Sequence, residues 1–163
     1  IAITFDDGFA NNYHHAFAIL QKYQAKATIY LAPDIVEIDK LTPAQITEMQ
    51  ASGLIEFGAH SLHHVNLSQS DEAQAQAEIT GSKQRVEQLT GQPCMSFAYP
   101  FGRFNQQVVE WVKQAGFSSA VTTQKKIIAN PQQSAFIIPR ISTHGAMSKF
   151  QFYVAVSRGR YKF

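Results

Sequence analysis

Two adjacent carboxylates, Asp6 and Asp7, end an apolar run and are followed directly by Gly8. Residues 1–5 favour a β-strand, so both acids are expected at the carboxyl end of a strand, where α/β folds place their chemistry. An Asp-Asp-Gly triplet by itself is typical of a turn. The pair therefore indicates a functional site only if other reactive side chains belong with it.

A histidine cluster provides such side chains. Residues 55–59 predict another short strand, which runs directly into His60-Ser61-Leu62-His63-His64. If a helix begins after residue 59, His60 and His64 share one face of it, a spacing that presents two imidazoles to one metal ion. The same spacing is common in solvated surface pairs. One carboxylate with two imidazoles is a ligand set that leaves coordination positions open, and the sequence therefore predicts a metal site.

Three segments resemble the motifs of a known family. Thr4-Phe5-Asp6-Asp7-Gly8 is similar to the first motif of the polysaccharide deacetylases of carbohydrate esterase family four, which carry the NodB-homology domain. The histidine cluster fits the second motif of that family. Tyr99-Pro100-Phe101-Gly102 resembles the third, a Pro-aromatic-Gly motif in the substrate groove. The three motifs occur in order between residues 4 and 102, which makes the match specific.

The resemblance implies roles for the first two motifs. Asp7, His60 and His64 are expected to bind one divalent metal ion, zinc in the first place, with cobalt or nickel as alternatives. Asp6 is expected to stay off the metal and to act as the general base. His63, which lies between the paired histidines, is interpreted as structural or exposed to solvent.

The third motif is expected to bind the substrate through Tyr99, Pro100, Phe101 and Gly102. In the family the backbone N–H at the position of Phe101 helps to hold the oxyanion. The rings of Tyr99 and Phe101 could also stack on sugar faces. A turn that only packs a loop is the alternative interpretation of this segment.

Two late residues are further catalytic candidates. Arg140 is a candidate partner for Asp6 and could equally be a surface residue beside Pro139. His144 is the only late histidine, and it could replace the general acid that the family supplies from its last motif. Apart from its position, no feature distinguishes His144 from an ordinary loop histidine.

The chain also departs from the family pattern. Ala98 occupies a position at which many members carry an arginine, and the fourth and fifth motifs are not recognisable. Residues 120–123 and 138–141 instead resemble the branch that acts on poly-β-1,6-N-acetylglucosamine and related exopolysaccharides. In some members of that branch the last motif is permuted to a position before the first. Such a segment would precede Ile1.

These features favour a metal-dependent hydrolase that removes N-acetyl groups from N-acetylglucosamine units of a β-linked exopolysaccharide, outside the cytoplasm. Deacetylation of peptidoglycan or chitin oligomers and hydrolysis of a small amide are alternatives within the enzyme class. A metal-containing module that binds glycans with little activity is an alternative from another class. The sequence assigns no oligomeric state.

Strand and helix patterns alternate along the chain and predict an α/β fold. The resemblance specifies a distorted, incomplete (β/α) barrel of the NodB type, since complete barrels usually need roughly 200 residues or more. The predicted strands are 1–5, 27–31, 55–59, 96–98, 119–122 and 136–141. Predicted helices follow Thr42, Ser70 and Asn105, and an earlier helix has Ala16, Ile19, Leu20 and Tyr23 at helical spacing. Residues 124–134 are predicted to form a loop.

Composition limits the function classes. The 163 residues, 45% of them hydrophobic, predict a single domain over 1–163, and the initial Ile rather than Met favours processing or trimming at the N-terminus. A net charge of +2 is too small to indicate nucleic acid, and the basic tail with Arg158, Arg160 and Lys162 is interpreted as solvated. No apolar stretch approaches the ~20 residues of a membrane span. Cys94 is alone and is predicted to be buried.

Overall fold

Five parallel strands lie side by side in the order in which they occur in the chain. The computed structural model describes residues 1–127 and 135–159. The strands are β1 (Ile3–Phe5), β2 (Ala27–Leu31), β3 (Ile55–Ala59), β4 (Ser96–Ala98) and β5 (Ser119–Val121). Because each connection returns the chain to the next parallel position, the sheet curls in one direction. The result is a half-barrel with helices, which confirms the predicted incomplete (β/α) barrel.

Helices occupy the connections between the strands. A π-helix (Asn12–Phe17) continues into α1 (Ala18–Tyr23), and α2 (Pro43–Ala51), α3 (Glu72–Thr90), α4 (Gln106–Gln114) and α5 (Lys149–Arg158) follow. The predicted capping box is present, because Thr42 and Gln45 exchange side-chain and backbone hydrogen bonds at the start of α2. Asp71 and Asn105 cap α3 and α4 by accepting hydrogen bonds from the third residue after them. These caps satisfy N–H groups that the helix itself leaves unpaired.

The strands present alternate residues to two different faces. The face that packs on the helices carries the main core, including Ile29, Phe57, Phe97 and Ala120. We call the opposite face the inner face, and it carries a small cluster of Tyr30, Ala98, Val121 and Ile138. Phe5 packs against the main core, so Thr4 and Asp6, one residue away on either side, point toward the inner face.

The first helix lies where the spacing predicted it, but it buries different residues from those that the spacing indicated. It begins with the wider turns of a π-helix, which change the angle between successive side chains. Phe17 and Leu20 are consequently the buried apolar residues. Ile19 and Tyr23, which the helical spacing indicated as part of the apolar face, are exposed, so that part of the prediction is wrong.

The later part of the chain also differs. The strand predicted over 136–141 is absent, because only Ile138 pairs with Val121 there, through one isolated parallel bridge. The helix α5 was not predicted from the sequence. The predicted loop over 124–134 and the basic tail lie partly outside the described residues, at 128–134 and from Arg160 onward.

Two simpler predictions concern burial and apolar length. Cys94 is 1% exposed, and burial raises the pKa of its thiol to about 11, so the thiol stays protonated at neutral pH. This confirms the expected buried small side chain. Within the described residues, every helix is too short or too polar to cross a bilayer.

The inner face leaves no room for a side chain at Gly58. A β-carbon there would lie 2.6 Å from Ser96 Oγ and 2.6 Å from the buried ring of Tyr30. We therefore expect Gly58→Ala to lower the free energy of unfolding by about 1–3 kcal/mol through overpacking, as measured by urea denaturation. Gly145→Ala is the control, because its added methyl group meets no atom within 4 Å. Equal stability of the two variants would contradict the described packing.

Candidate metal centre

The carboxyl ends of two strands bring a carboxylate and two imidazoles together. Asp7 follows β1, and His60 and His64 follow β3. Asp7 Oδ1 lies 3.6 Å from His60 Nε2 and 3.5 Å from His64 Nε2, and the three ligand atoms all lie within 4.8 Å of one another. Two ligands about 2.1 Å from a shared ion are separated by roughly 3.0–3.4 Å. The side chains are thus almost at the spacing that coordination requires.

Hydrogen bonding and burial fix the state of His60. Its ring is 2% exposed, and its Nδ1 lies 2.7 Å from the carbonyl oxygen of Ala98. A carbonyl oxygen can only accept, so Nδ1 carries the hydrogen. Burial lowers the pKa of the imidazole, which favours the neutral ring. The lone pair of Nε2 therefore faces Asp7, as in histidines whose second nitrogen is oriented by a backbone carbonyl.

Asp7 faces these imidazoles with an unsatisfied oxygen. Its Oδ1 is buried and has no hydrogen-bond partner within residues 1–127 and 135–159. Burying such an oxygen without a partner is costly, and the lone pair of His60 cannot donate to it. A cation between the three atoms would satisfy all of them. Asp7, His60 and His64 therefore fit a divalent metal ion.

Backbone strain is concentrated around the same atoms. Among the described residues other than glycine, five have positive φ angles, and four of these border the site. They are Asp7 (71°), Ser61 (58°), His64 (56°) and Phe101 (58°). Such conformations cost of order 1–3 kcal/mol each and persist only where the surroundings enforce them. Their clustering indicates that this edge of the sheet is shaped for function.

The loop that carries the histidines is not a helix. Residues 60–66 form a bent segment, so the helix expected after residue 59 is wrong. The left-handed conformation of His64 turns the chain and directs its ring toward Asp7, where a helical turn was expected to do so. His63 points away, as expected, with a half-exposed ring that contacts Glu78 at 2.7 Å.

Asp6, the neighbouring carboxylate, has entirely different partners. Arg140 donates two hydrogen bonds to it, from Nη1 to Oδ1 and from Nη2 to Oδ2, both 2.7 Å long. The guanidinium also donates to the hydroxyl of Thr4 and to the carbonyl of Thr122. Of the two interpretations of Arg140, the structure therefore shows the partner of Asp6. Bidentate pairs of this kind fix the orientation of the carboxylate.

The electrostatics keep Asp6 ionised. Burial opposes the charged form and by itself raises the pKa of the carboxyl. The hydrogen bonds and the positive charge of Arg140, together with the electrostatic influence of the neighbouring imidazoles, act in the opposite direction and prevail, so the pKa lies below its usual value. Asp6 is therefore a carboxylate at neutral pH and is able to accept a proton.

The third motif separates into buried and exposed residues. Phe101 is 55% exposed, and the centre of its ring lies 4.5 Å from that of His64. Tyr99 is fully buried, and its hydroxyl donates to the carbonyl of Phe136. The expectation that the Tyr99 ring stacks on a sugar is therefore wrong, because no face of that ring is accessible. Pro100 is buried as well.

Gly102 contributes through its backbone. It has a φ of 66°, and a β-carbon at this position would lie 2.7 Å from the backbone nitrogen of Thr123. Only glycine fits such a close approach. Gly102 thus lets the backbone beside Phe101 approach the segment that follows β5, where the hydroxyl of Thr123 lies 3.4 Å from the carbonyl oxygen of Phe101. A direct role of Phe101 or Gly102 in binding stays a prediction.

His144, the candidate acid, lies in a different pocket. It lines a cavity with Met147, Lys149 and Phe152, whereas Asp7 lines one with Leu31 and Lys40. Its predicted role as the general acid stays a prediction.

Sequence comparison now assigns the chain to a family. The family model for polysaccharide deacetylases matches residues 1–120, a range that includes Asp6, Asp7 and the histidine cluster. The chain belongs to the polysaccharide deacetylase family. One relative is YxkH of Bacillus subtilis (strain 168), which is named as a polysaccharide deacetylase. It is 31% identical to this chain over 153 residues, which cover 93% of this chain and 54% of YxkH.

Two further relatives are informative. The poly-β-1,6-N-acetyl-D-glucosamine N-deacetylase of Staphylococcus aureus (strain MSSA476) is 27% identical over 153 residues, covering 85% of this chain and 52% of that enzyme. The crystal structure of a polysaccharide deacetylase from Bacillus cereus superposes with a TM-score of 0.84 at 30% identity, covering 96% of this chain and 51% of that one. The chain thus spans about half the length of the curated relatives it matches.

Some residues around the candidate metal site were not predicted from the sequence. The carbonyl of Ala98, the hydroxyl of Thr4 and the carboxylate of Glu78 orient the residues that were predicted. A backbone carbonyl carries no sequence signal. Glu78 lies within a long polar helix pattern, where an acidic residue carries no distinct signal, although its place on the same helix face as Ala75 and Ile79 could have indicated burial.

The first site prediction concerns the metal. We expect His60→Ala and His64→Ala to lose most bound zinc after dialysis, because each removes one of the three ligands, with metal content measured by atomic absorption. His63→Ala is the matched control, since its ring points to Glu78, and its metal content should stay close to that of the unaltered protein. Stoichiometric zinc in the His60→Ala/His64→Ala double variant would refute the ligand assignment.

Proposed function

We propose that this deacetylase is a metal-dependent hydrolase that removes N-acetyl groups from N-acetylglucosamine units of a β-linked exopolysaccharide, with zinc as the ion. The observation that carries the proposal is the buried, unsatisfied oxygen of Asp7 between two imidazole nitrogens. A bound divalent ion supplies water activation near neutral pH and polarisation of the acetyl carbonyl.

The two carboxylates divide the work according to their partners. Asp7 is directed at the imidazoles and holds the metal. Asp6 is held by Arg140, so its carboxylate cannot rotate freely. In the proposed reaction Asp6 takes the proton from the attacking water as general base. Its bond to Arg140 keeps the accepting oxygens oriented before substrate binds, which lowers the cost of reaching the reactive geometry.

Phe101 is the proposed contact for the sugar. Its exposed ring packs against His64 at the rim of the site, and Arg103 lies 6.0 Å from the ring centre on the same exposed segment. An aromatic face beside the reactive centre offers apolar area to the hydrogens on a pyranose ring. The named activity of the Staphylococcus aureus relative and the motif resemblance favour β-1,6-linked N-acetylglucosamine as the substrate.

The departing amine must receive a proton. The candidate donors are a histidine of the permuted last motif and His144, which lines a different cavity from Asp7. If His144 is the donor, replacing it by alanine should lower acetate release and leave metal content unchanged. Because the substrate is an exopolysaccharide, we also propose that the protein acts outside the cytoplasm, in the periplasm, at the cell surface or in the medium.

Acetate release tests the function directly. We expect the zinc-loaded protein to release acetate from a β-1,6-linked N-acetylglucosamine oligomer faster than from a chitin oligomer or a peptidoglycan fragment. The chelated protein should be inactive, and zinc, cobalt or nickel should restore activity. Binding of the oligomer without acetate release under any metal would indicate a glycan-binding module and would overturn the proposal.

A second experiment separates the two carboxylates. Asp6→Asn should keep the metal and reduce kcat by roughly 10²–10⁴-fold, because the amide cannot accept the water's proton. Asp7→Asn should instead weaken metal binding, because it removes the charged ligand. Metal content and acetate release are measured on both variants. If the two phenotypes are exchanged, the roles of the carboxylates are reversed.

A further inference from the structure

A buried carboxylate lies beneath the loop that carries the histidines. Glu78, in the middle of α3, is 7% exposed and shares its buried helix face with Ala75, Ile79 and Ser82. Acidic side chains are rarely buried unless their oxygens are satisfied. The partners of Glu78 therefore show what this residue is for.

All the hydrogen bonds that the structure shows for Glu78 go to one short segment. Its Oε2 accepts from the backbone N–H groups of Leu62 (2.9 Å) and His63 (3.0 Å). Its Oε1 lies 2.7 Å from Nδ1 of His63. We call residues 60–64 the histidine loop, and Leu62 and His63 lie at its centre, between His60 and His64.

A second feature of α3 receives the same loop. A β-carbon at Gly81, one turn after Glu78, would lie 2.6 Å from Leu62 Cδ1. Glycine weakens the interior of a helix, and this position has no positive φ angle that would require it. The space left by Gly81 is occupied by the side chain of Leu62. Glu78 thus binds the backbone of the histidine loop, and Gly81 accommodates its apolar side chain.

The histidine loop needs such support because its own backbone is strained. Ser61 and His64 both have left-handed φ angles, and no helical ladder pairs the N–H groups between them. Two consecutive N–H groups donate to one carboxylate oxygen, which requires the sharp bend that these angles produce. On the other side, Asp34 N donates to the carbonyl of Leu62. The loop is therefore held from both sides.

We propose that Glu78, with Gly81, is a positioning residue that holds the histidine loop in the conformation in which both imidazoles face Asp7. Glu78 touches neither ligand side chain and acts through the backbone between them. Its effect on metal affinity rests on the proposed metal-dependent function. Its effect on the loop does not.

Amide hydrogen exchange tests the loop without any metal. In the chelated protein we expect Glu78→Ala to accelerate exchange of the Leu62 and His63 amides by roughly tenfold or more, because their acceptor is removed. Glu78→Gln keeps an oxygen for both amides, and its NH₂ group can donate to the other tautomer of His63, so exchange should stay slow. Glu72→Ala is the matched control, because Glu72 is an exposed residue in the first turn of the same helix. Exchange of the Leu62 and His63 amides should not change in this variant.

Metal affinity tests the consequence. We expect Glu78→Ala to weaken zinc and cobalt binding by roughly 10–100-fold, the usual effect of removing a group that orients metal ligands. Glu78→Gln should bind within about threefold of the unaltered protein, since its hydrogen bonds persist. If the unaltered protein binds no metal, the proposed function fails, and hydrogen exchange alone decides the role of Glu78.

Gly81→Ala provides a second test of the contact between α3 and the histidine loop, which remains available if Glu78→Ala does not fold. If Leu62 fills the space at Gly81, the added methyl group should lower the melting temperature and accelerate exchange at Leu62. If the contact is unimportant, alanine should raise the melting temperature, because it favours the helix. A raised melting temperature with unchanged exchange, slow exchange at Leu62 and His63 in Glu78→Ala, or metal binding in Glu78→Gln as weak as in Glu78→Ala would each overturn the proposal.

Discussion

The candidate site depends on one constraint: the fold places two atoms that can only accept hydrogen bonds, one on Asp7 and one on His60, close to each other. Asp7 Oδ1 and the lone pair of His60 Nε2 approach within 3.6 Å, and the hydrogen on Nδ1 of His60 is already engaged by Ala98. Without a cation this arrangement is unfavourable, because the buried oxygen of Asp7 has no hydrogen-bond donor in the described part of the chain. The fold nevertheless imposes it, through two strand ends and a strained loop. The unpaired oxygen therefore lowers the stability of this region. Binding of a cation would stabilise the folded protein by satisfying that oxygen.

The adjacent carboxylates show how one strand end gives two neighbouring acids different partners. Side chains alternate along β1, so Asp6 joins Thr4 on the inner face, while the left-handed turn at Asp7 directs the next carboxylate toward the imidazoles. Arg140 then distinguishes the two acids, because it binds only the first within the described residues.

The sequence located the reactive residues at strand ends, but it did not predict the backbone conformation of the loops that carry them. Asp6, Asp7, His60 and His64 could be located because apolar runs stop at them, and the strands at 55–59 and 96–98 have the predicted bounds. The helix after residue 59 was wrong because left-handed Ser61 and His64 carry no signal comparable to that of glycine. Tyr99 was misplaced for another reason. An aromatic residue after a strand can point into the core or toward the rim, and only tertiary packing decides between them.

Arg140 links the site to the interior of the half-barrel. Its guanidinium carbon lies 5.6 Å from the centre of the buried Tyr30 ring, and its Nε donates to the carbonyl of buried Thr122. One side chain thus contacts Asp6 at the site, an aromatic ring of the inner face and the backbone after β5. Cation–π contacts of this kind stabilise a fold more strongly when water is excluded from them. The side chain of Arg140 is only 14% exposed. Packing of the inner face and orientation of Asp6 therefore depend on the same residue, so a change that loosens Tyr30 would also loosen the proposed general base.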